Sequence, residues 1–249
     1  MSHCQNLALV TGASSGIGAA ISRELIQQGW KVIGVARSHD KLAKMREELS
    51  EAFIPVVCDV ANKKHIHEVS QQLIHQRLCP TLFFLNAGIA GEAVLENPEH
   101  FDLAMHEKIM QTNYFGVLAW VEYWEKLCQQ NGKTNFIVTS SINAIFAPPR
   151  GSAYCASKAA IARAFESLSL TYFGTNLNFS VMYPGPVDTA GLKGNLPFTW
   201  SAEKMGKRMV KFAFSGKTVC QPFLFYNILS RFLRLLPARY TMRLIGKVE

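Results

Sequence analysis

Tyr154 and Lys158 stand four residues apart in the run Tyr154-Cys155-Ala156-Ser157-Lys158. On a helix that spacing puts both side chains on one face, within reach of each other. A phenol ordinarily titrates near pH ~10, too high to give and take protons at neutral pH. An ammonium beside it favours the phenolate and brings that pKa down. The pair is therefore a candidate proton-transfer centre, if the chain also supplies a cofactor, a carbonyl-orienting hydroxyl and a pocket.

The elements that must position the pair follow from the hydrophobic pattern. Leu7–Thr11, Lys31–Ala36, Ile54–Asp59, Thr81–Asn86, Asn135–Ser140 and Asn178–Tyr183 are short apolar runs bounded by turn residues, and are expected as strands. Between them Gly16–Gln28, Asp40–Ala52, Lys63–Leu78, a long stretch from about 99 to 130, and Tyr154–Phe173 carry helical spacing. Strand–helix alternation of this kind implies a parallel sheet covered on both faces. The expected fold is α/β: one doubly wound Rossmann domain over residues 1–220, with a substrate loop across 186–215 and a C-terminal extension over 221–249.

Thr11-Gly12-Ala13-Ser14-Ser15-Gly16-Ile17-Gly18 sits where the first strand turns into the first helix. Glycines there allow a tight turn and the close approach of a pyrophosphate, which rests on the free N–H groups of the helix. About 20 residues on, an NAD site wants a carboxylate for the ribose 2′-hydroxyl. This chain has Ala36 and Arg37. A guanidinium suits a 2′-phosphate, which points to NADP(H).

The spacing Gly-x-x-x-Gly-x-Gly resembles the cofactor loop of the short-chain dehydrogenase/reductases, and the resemblance continues in order through residues 6 to 190. Asn86-Ala87-Gly88 resembles the family's Asn-Ala-Gly motif, and Asn113 falls at its helical asparagine. Ser141, thirteen residues before Tyr154, matches its catalytic serine, and Pro184-Gly185 with Thr189 resembles the motif after the sixth strand. Ala144 departs from the glycine that many members carry there. The resemblance implies cofactor contacts from Gly12, Ser14, Ser15, Gly16, Ile17, Gly18, Asn86, Ala87, Gly88, Pro184 and Thr189. It also implies adenine contacts from Asp59 and Val60; read without the family, Asp59 is a helix N-cap. By the same resemblance Tyr154 exchanges a proton with the substrate oxygen, and Lys158 holds the nicotinamide ribose. Ser141 hydrogen-bonds the carbonyl, and Asn113 anchors a water relay to Lys158. The expected activity is NADP(H)-dependent oxidoreduction of a carbonyl or alcohol; the alternative is an NADP(H)-binding regulator, or a membrane-surface protein, that keeps the fold without turnover.

At 249 residues, 49% of them hydrophobic and 18% charged, the chain suits one globular domain with a substantial core. Six scattered cysteines, without Cys-x-x-Cys or a histidine cluster at ligand spacing, argue against a disulfide framework or a metal site, and for a cytoplasmic protein. The polar start and the short run Leu7–Val10 are not expected to be a signal peptide or a span.

The net charge of +8 is local: residues 201–249 hold ten basic side chains against Glu203 and Glu249. Leu192, Leu196, Phe198, Trp200, Met205, Met209 and Phe212, with Ile145 and Phe146, are candidates to line an apolar pocket or to pack a lid. Residues 223–236 are apolar except for a stripe of Asn227, Ser230, Arg231 and Arg234, and fourteen residues of helix rise only about 21 Å, too short for a ~30 Å hydrocarbon core. Such a helix suits an anionic membrane surface through 222–247, a cap on the cleft, or an oligomer interface. Basic residues alternating with bulky aliphatics do not suit nucleic acid. The family resemblance adds homodimers or homotetramers as an expectation.

Overall fold

The computed structural model describes residues 6–90, 97, 100–189 and 198–245. Six main strands, β1 (Leu7–Thr11), β2 (Lys31–Ala36), β3 (Phe53–Val57), β4 (Leu82–Leu85), β5 (Thr134–Thr139) and β6 (Leu177–Met182), pair in parallel. Two short strands, β7 (Val187–Asp188) and β8 (Trp200–Ser201), pair with each other in parallel. A seventh strand of the main sheet, β9 (Val219–Cys220), adds to β6. The order is β3-β2-β1-β4-β5-β6-β9, so the chain reverses direction of travel between β1 and β4. Ligands bind beyond the carboxyl ends of the strands at such a reversal.

Period-two alternation sends neighbouring strand residues to opposite faces, and both faces are buried. Leu7 and Leu9 of β1, Phe83 of β4 and Phe136 of β5 face α3 (Lys63–His75), α5 (Gly116–Asn131) and α6 (Ser152–Thr171). Phe83 and Phe136 stack at 4.6 Å, and Trp124 donates its Nε1 hydrogen to Ser70 Oγ at 3.0 Å. Ala8, Val10, Phe84 and Ile137 face the other way, onto α1 (Gly16–Gln27), α2 (His39–Leu49) and α7 (Ala202–Ala213). Pro55 is accommodated because β3 is an edge strand, where a missing N–H costs no ladder bond.

Several elements differ from the sequence pattern for local reasons. The predicted helix over 63–78 ends at His75: Arg77 takes φ +58°, and Leu78 N–H closes back on Leu73 O at 2.8 Å. The predicted long helix is three pieces, α4 (Leu103–Met110), a π-turn over Gln111–Phe115, and α5. Met205, Met209 and Phe212 line no substrate pocket: α7 carries them under the sheet against α1. Gly206 permits that approach, because a Cβ there would stand 2.8 Å from the Ala20 carbonyl carbon. In α8 (Leu224–Leu235) the helix keeps Asn227, Ser230, Arg231 and Arg234 on one face as expected; Ser230 is buried there, the two arginines are exposed, and most of the apolar residues face outward. Leu192 and Leu196 lie outside the described residues. No helix among the described residues is long and apolar enough to cross a membrane.

Candidate active site

β1 delivers the glycine turn to the carboxyl edge of the sheet. Gly12 N–H and Ala13 N–H both donate to Val35 O, at 2.8 and 3.2 Å, which sets the turn beside the end of β2, two residues before Arg37. Gly12 takes φ +70°, and a Cβ on it would sit 3.1 Å from Ala87 Cα. Gly18 is held by α1 packing on the turn, since its Cβ would fall 2.2 Å from Gly12 O. Gly16, at φ +52°, lies against Thr189, whose Cγ2 would be 3.1 Å from a Cβ there. The turn, Asn86-Ala87-Gly88 and Thr189 are thus one neighbourhood.

Ser15 is the N-cap of α1 and makes no side-chain cap hydrogen bond, whereas Ser38, Asn62, Asp102 and Ser201 each cap their own helix. The first-turn amides of α1 are therefore left to an acceptor that is not a capping side chain. Arg37 is exposed and makes no ion pair among the described residues. Backbone glycine cradle, uncapped helix start and free guanidinium together fit a dinucleotide phosphate. Asp59 is not the cap of α3, a role that Asn62 takes; its Oδ1 instead accepts from Ala61 N at 3.0 Å, holding the turn that carries buried Val60. Ser14 and Ile17 complete the turn, and both keep partial solvent access.

Thr11 and Thr139, which sequence reasoning passed over, brace the centre. Thr11 Oγ1 accepts from Asn86 N and Ala87 N, each at 2.9 Å, and Thr139 Oγ1 donates to Asn86 Oδ1 at 3.1 Å. A buried threonine at the carboxyl end of each strand was the available signal. Asn113 lies in the π-turn, and such turns recur at functional sites. Its Oδ1 accepts from Ile89 N at 2.8 Å, and its Nδ2 donates to Ile89 O and to Ser157 Oγ, both at 3.1 Å. Ser157, inside the Tyr–Lys motif, is a third missed positioning residue.

α6 presents Tyr154 and Lys158 toward the ends of β4 and β5. Ser140 Oγ donates to Lys158 O at 2.9 Å, tying the end of β5 to this helix. Lys158 is buried, and its Nζ donates to Thr139 O at 2.8 Å. Nζ lies 5.8 Å from the centre of the Tyr154 ring. Gly88 is confined between the two polar groups, since a Cβ there would be 3.0 Å from Asn113 Oδ1 and 3.2 Å from Lys158 Nζ. Ser141 starts the 142–144 turn, where its Oγ accepts from Asn143 N at 3.1 Å. Pro184 O accepts from Ile142 N at 2.9 Å, so the Pro–Gly segment supports the same turn.

The titration of the pair differs from the sequence expectation. Burial raises the Tyr154 phenol above its ordinary value, and the Ser141 hydroxyl only partly offsets this. Burial lowers Lys158 to about 8, because a cation loses hydration there. The ammonium sits beyond direct contact with the phenol and is engaged by Thr139, so desolvation outweighs its pull on the tyrosine.

The chain matches the family model for short chain dehydrogenases over residues 6–197, and it belongs to that family. Family members are oxidoreductases that use NAD(P)(H), and relatives act on alcohols. An uncharacterized oxidoreductase of Staphylococcus haemolyticus is 28% identical over 74% of this chain and 78% of its own length. The cis-4-hydroxycyclohexanecarboxylate dehydrogenase of Sinomonas cyclohexanicum is 26% identical over 83% of this chain and 84% of its own. Three further relatives are longer proteins, of which the match spans 53% to 59%. Among solved structures, a short-chain dehydrogenase from Streptomyces avermitilis shares the fold with a TM-score of 0.82 at 20% identity, over 100% of this chain and 98% of its own.

Proposed function

We propose that the protein is an NADP(H)-dependent oxidoreductase that interconverts a hydrophobic alcohol and its carbonyl compound. The observation that carries this reading is the convergence of buried Lys158 and Asn113 on Gly88, with the Tyr154 ring centre 5.8 Å from Lys158 Nζ. The nicotinamide supplies hydride transfer when bound. Gly12, Gly16 and Gly18 keep side chains clear of the pyrophosphate, which the first-turn amides of α1 bind. Arg37 takes the 2′-phosphate as a charge-assisted donor, and Asp59 and Val60 border the adenine. Tyr154 exchanges a proton with the substrate oxygen at its phenol oxygen. Ser141 donates to the same substrate oxygen and stabilises the charge that develops there. Lys158 holds the nicotinamide ribose, and Asn113, fixed by Ile89 and Ser157, anchors the relay that returns protons to Lys158. Ile142, Ile145 and Phe146 follow Ser141 and are only partly buried, which favours a hydrophobic substrate beside it.

The test is a screen of alcohols and carbonyl compounds of graded chain length, followed by NADPH absorbance. Turnover should rise with apolar chain length, and Tyr154→Phe should lower it by about 10²–10⁴-fold while NADPH binding holds. Undiminished turnover in that variant would remove Tyr154 from the chemistry, and equal rates with NADH would overturn the role given to Arg37.

A further inference from the structure

α8 carries an apolar face that the body of the protein does not cover. Leu224, Phe225, Ile228, Phe232 and Leu235 are between 52% and 83% exposed. At about 100° per residue these five fall within one arc of roughly 100°, so they form a single continuous stripe. The opposite side of the helix, with Ser230 and Leu233, is the buried one. Arg231 and Arg234 are exposed along one flank of the stripe. α9 (Ala238–Ile245) is fastened to the end of α8 through Thr241, whose Oγ1 lies 3.4 to 3.5 Å from Pro237 O, Leu236 O and Leu233 O. It adds exposed Arg239 and Arg243, with Arg239 over the ring of half-exposed Tyr240 at 4.7 Å.

Charge identifies what suits this face. Residues 221–245 contain four arginines and no aspartate or glutamate. None of the four makes an ion pair among the described residues. A second copy meeting this surface face to face would set arginine against arginine around the apolar stripe. Lipid phosphates supply the missing countercharge, and acyl chains the missing apolar partner. At twelve residues α8 is about 18 Å long, so it lies along a bilayer surface and does not cross it.

We propose that α8 and α9 dock the protein onto an anionic lipid surface, with the stripe inserted among the acyl chains and the arginines against the phosphates. The docked face adjoins the candidate active site. Phe223, at the start of α8, packs on Gly185, where a Cβ would be 2.7 Å from its Cγ, and on Trp200 at 4.5 Å. Phe225 pairs with exposed Phe198 at 5.2 Å, and α8 packs against the 142–144 turn that follows Ser141. Docking stands independently of the reaction proposed above, because its readout is binding and not turnover.

The experiment is flotation of the full-length chain with vesicles of phosphatidylcholine alone and of phosphatidylcholine with phosphatidylglycerol. The chain should float with the anionic vesicles and much less with the neutral ones. Phe225→Glu with Phe232→Glu, and separately Arg231→Gln with Arg234→Gln, should each lower the affinity about tenfold or more. Phe173→Glu, at a still more exposed aromatic just beyond the end of α6, should change nothing. An unchanged far-UV circular dichroism spectrum and cooperative thermal transition confirm that each variant is folded, and the arginine pair keeps the test open should the phenylalanine pair fail to fold. Failure of the wild-type chain to float with anionic vesicles overturns the proposal. Equal loss in Phe173→Glu overturns it as well. So does light scattering that finds a dimer in lipid-free buffer which the Phe225→Glu, Phe232→Glu variant splits, because the face would then belong to a second copy.

Discussion

α7 and α8 are neighbouring helices of twelve residues, comparably amphipathic, and they bury opposite sides. α7 turns its apolar side inward: Met205, Met209 and Val210 are fully enclosed against α1 and the sheet. α8 turns Ser230 and Leu233 inward and leaves its apolar side open. The difference lies in what each helix can approach. Gly206 lets α7 come down onto the Ala20 backbone, so the long apolar side chains on either side of it reach the core. α8 is held by Phe223 against Gly185 and by packing on the 142–144 turn, and no neighbouring helix lies over its stripe among the described residues. Amphipathicity establishes that a helix has an apolar side; only a close neighbour decides whether that side is core or contact surface.

The largest test of the comparison is inside α7. Met209→Ala removes a fully enclosed side chain and should cost about 3 kcal/mol, the usual range for a large-to-small change in a core. Urea unfolding read by tryptophan fluorescence would measure it. A loss below about 1 kcal/mol would mean that α7 is loosely held and that the two helices are more alike than their packing.

A second test contrasts cations. Lys158 is enclosed, while Arg231 and Arg234 are in water. Burial takes Lys158 from 10.5 to about 8, so between those pH values the unfolded chain binds more protons than the folded one. Stability from this group must therefore rise as pH rises through that window, by up to about 3 kcal/mol, and be lowest at and below its start. Lys158→Met removes the titration, so its stability advantage over the wild type should be widest near neutrality and shrink toward pH 10.5. Parallel pH profiles for the two proteins would show that the lysine is hydrated in the folded state.

The motif residues were legible because each answers a short-range demand. Gly12, Gly16 and Gly18 are set by a tight turn and a close helix, and Tyr154 and Lys158 by one helical face. What escaped depends on distant neighbours or on very short elements. β9 is two residues long, too short for any alternation to register, and exists because β6 offers Val181 and Met182 as partners. The π-turn around Asn113 adds less than one residue to a turn, which leaves the apolar spacing of a long helix nearly intact. The direction of the Tyr154 shift follows from what packs around the partly buried phenol, and spacing along the chain carries no measure of that. The apolar side of α8 was legible, but whether it meets a membrane surface, caps the cleft or forms an interface was not, since a pattern of apolar and polar residues reads the same on a covered helix and an open one.

The smallest effect is the most discriminating. Ile228 sits in the middle of the α8 stripe and is 60% exposed, so it loses little apolar surface to the body of the protein on folding. Ile228→Ala should change unfolding stability by no more than about 0.5 kcal/mol, with alanine's better helix propensity opposing whatever contact is lost. The corresponding truncation at Met209 in α7 should cost several times more. A large loss at Ile228 in dilute, lipid-free protein would mean that the stripe is already covered in solution, by a second copy or by the rest of the chain. If the loss grew with protein concentration, the cover would be a second copy, because stability linked to association follows mass action. A small, concentration-independent effect would leave the stripe free to serve another surface, which is the condition that distinguishes α8 from α7.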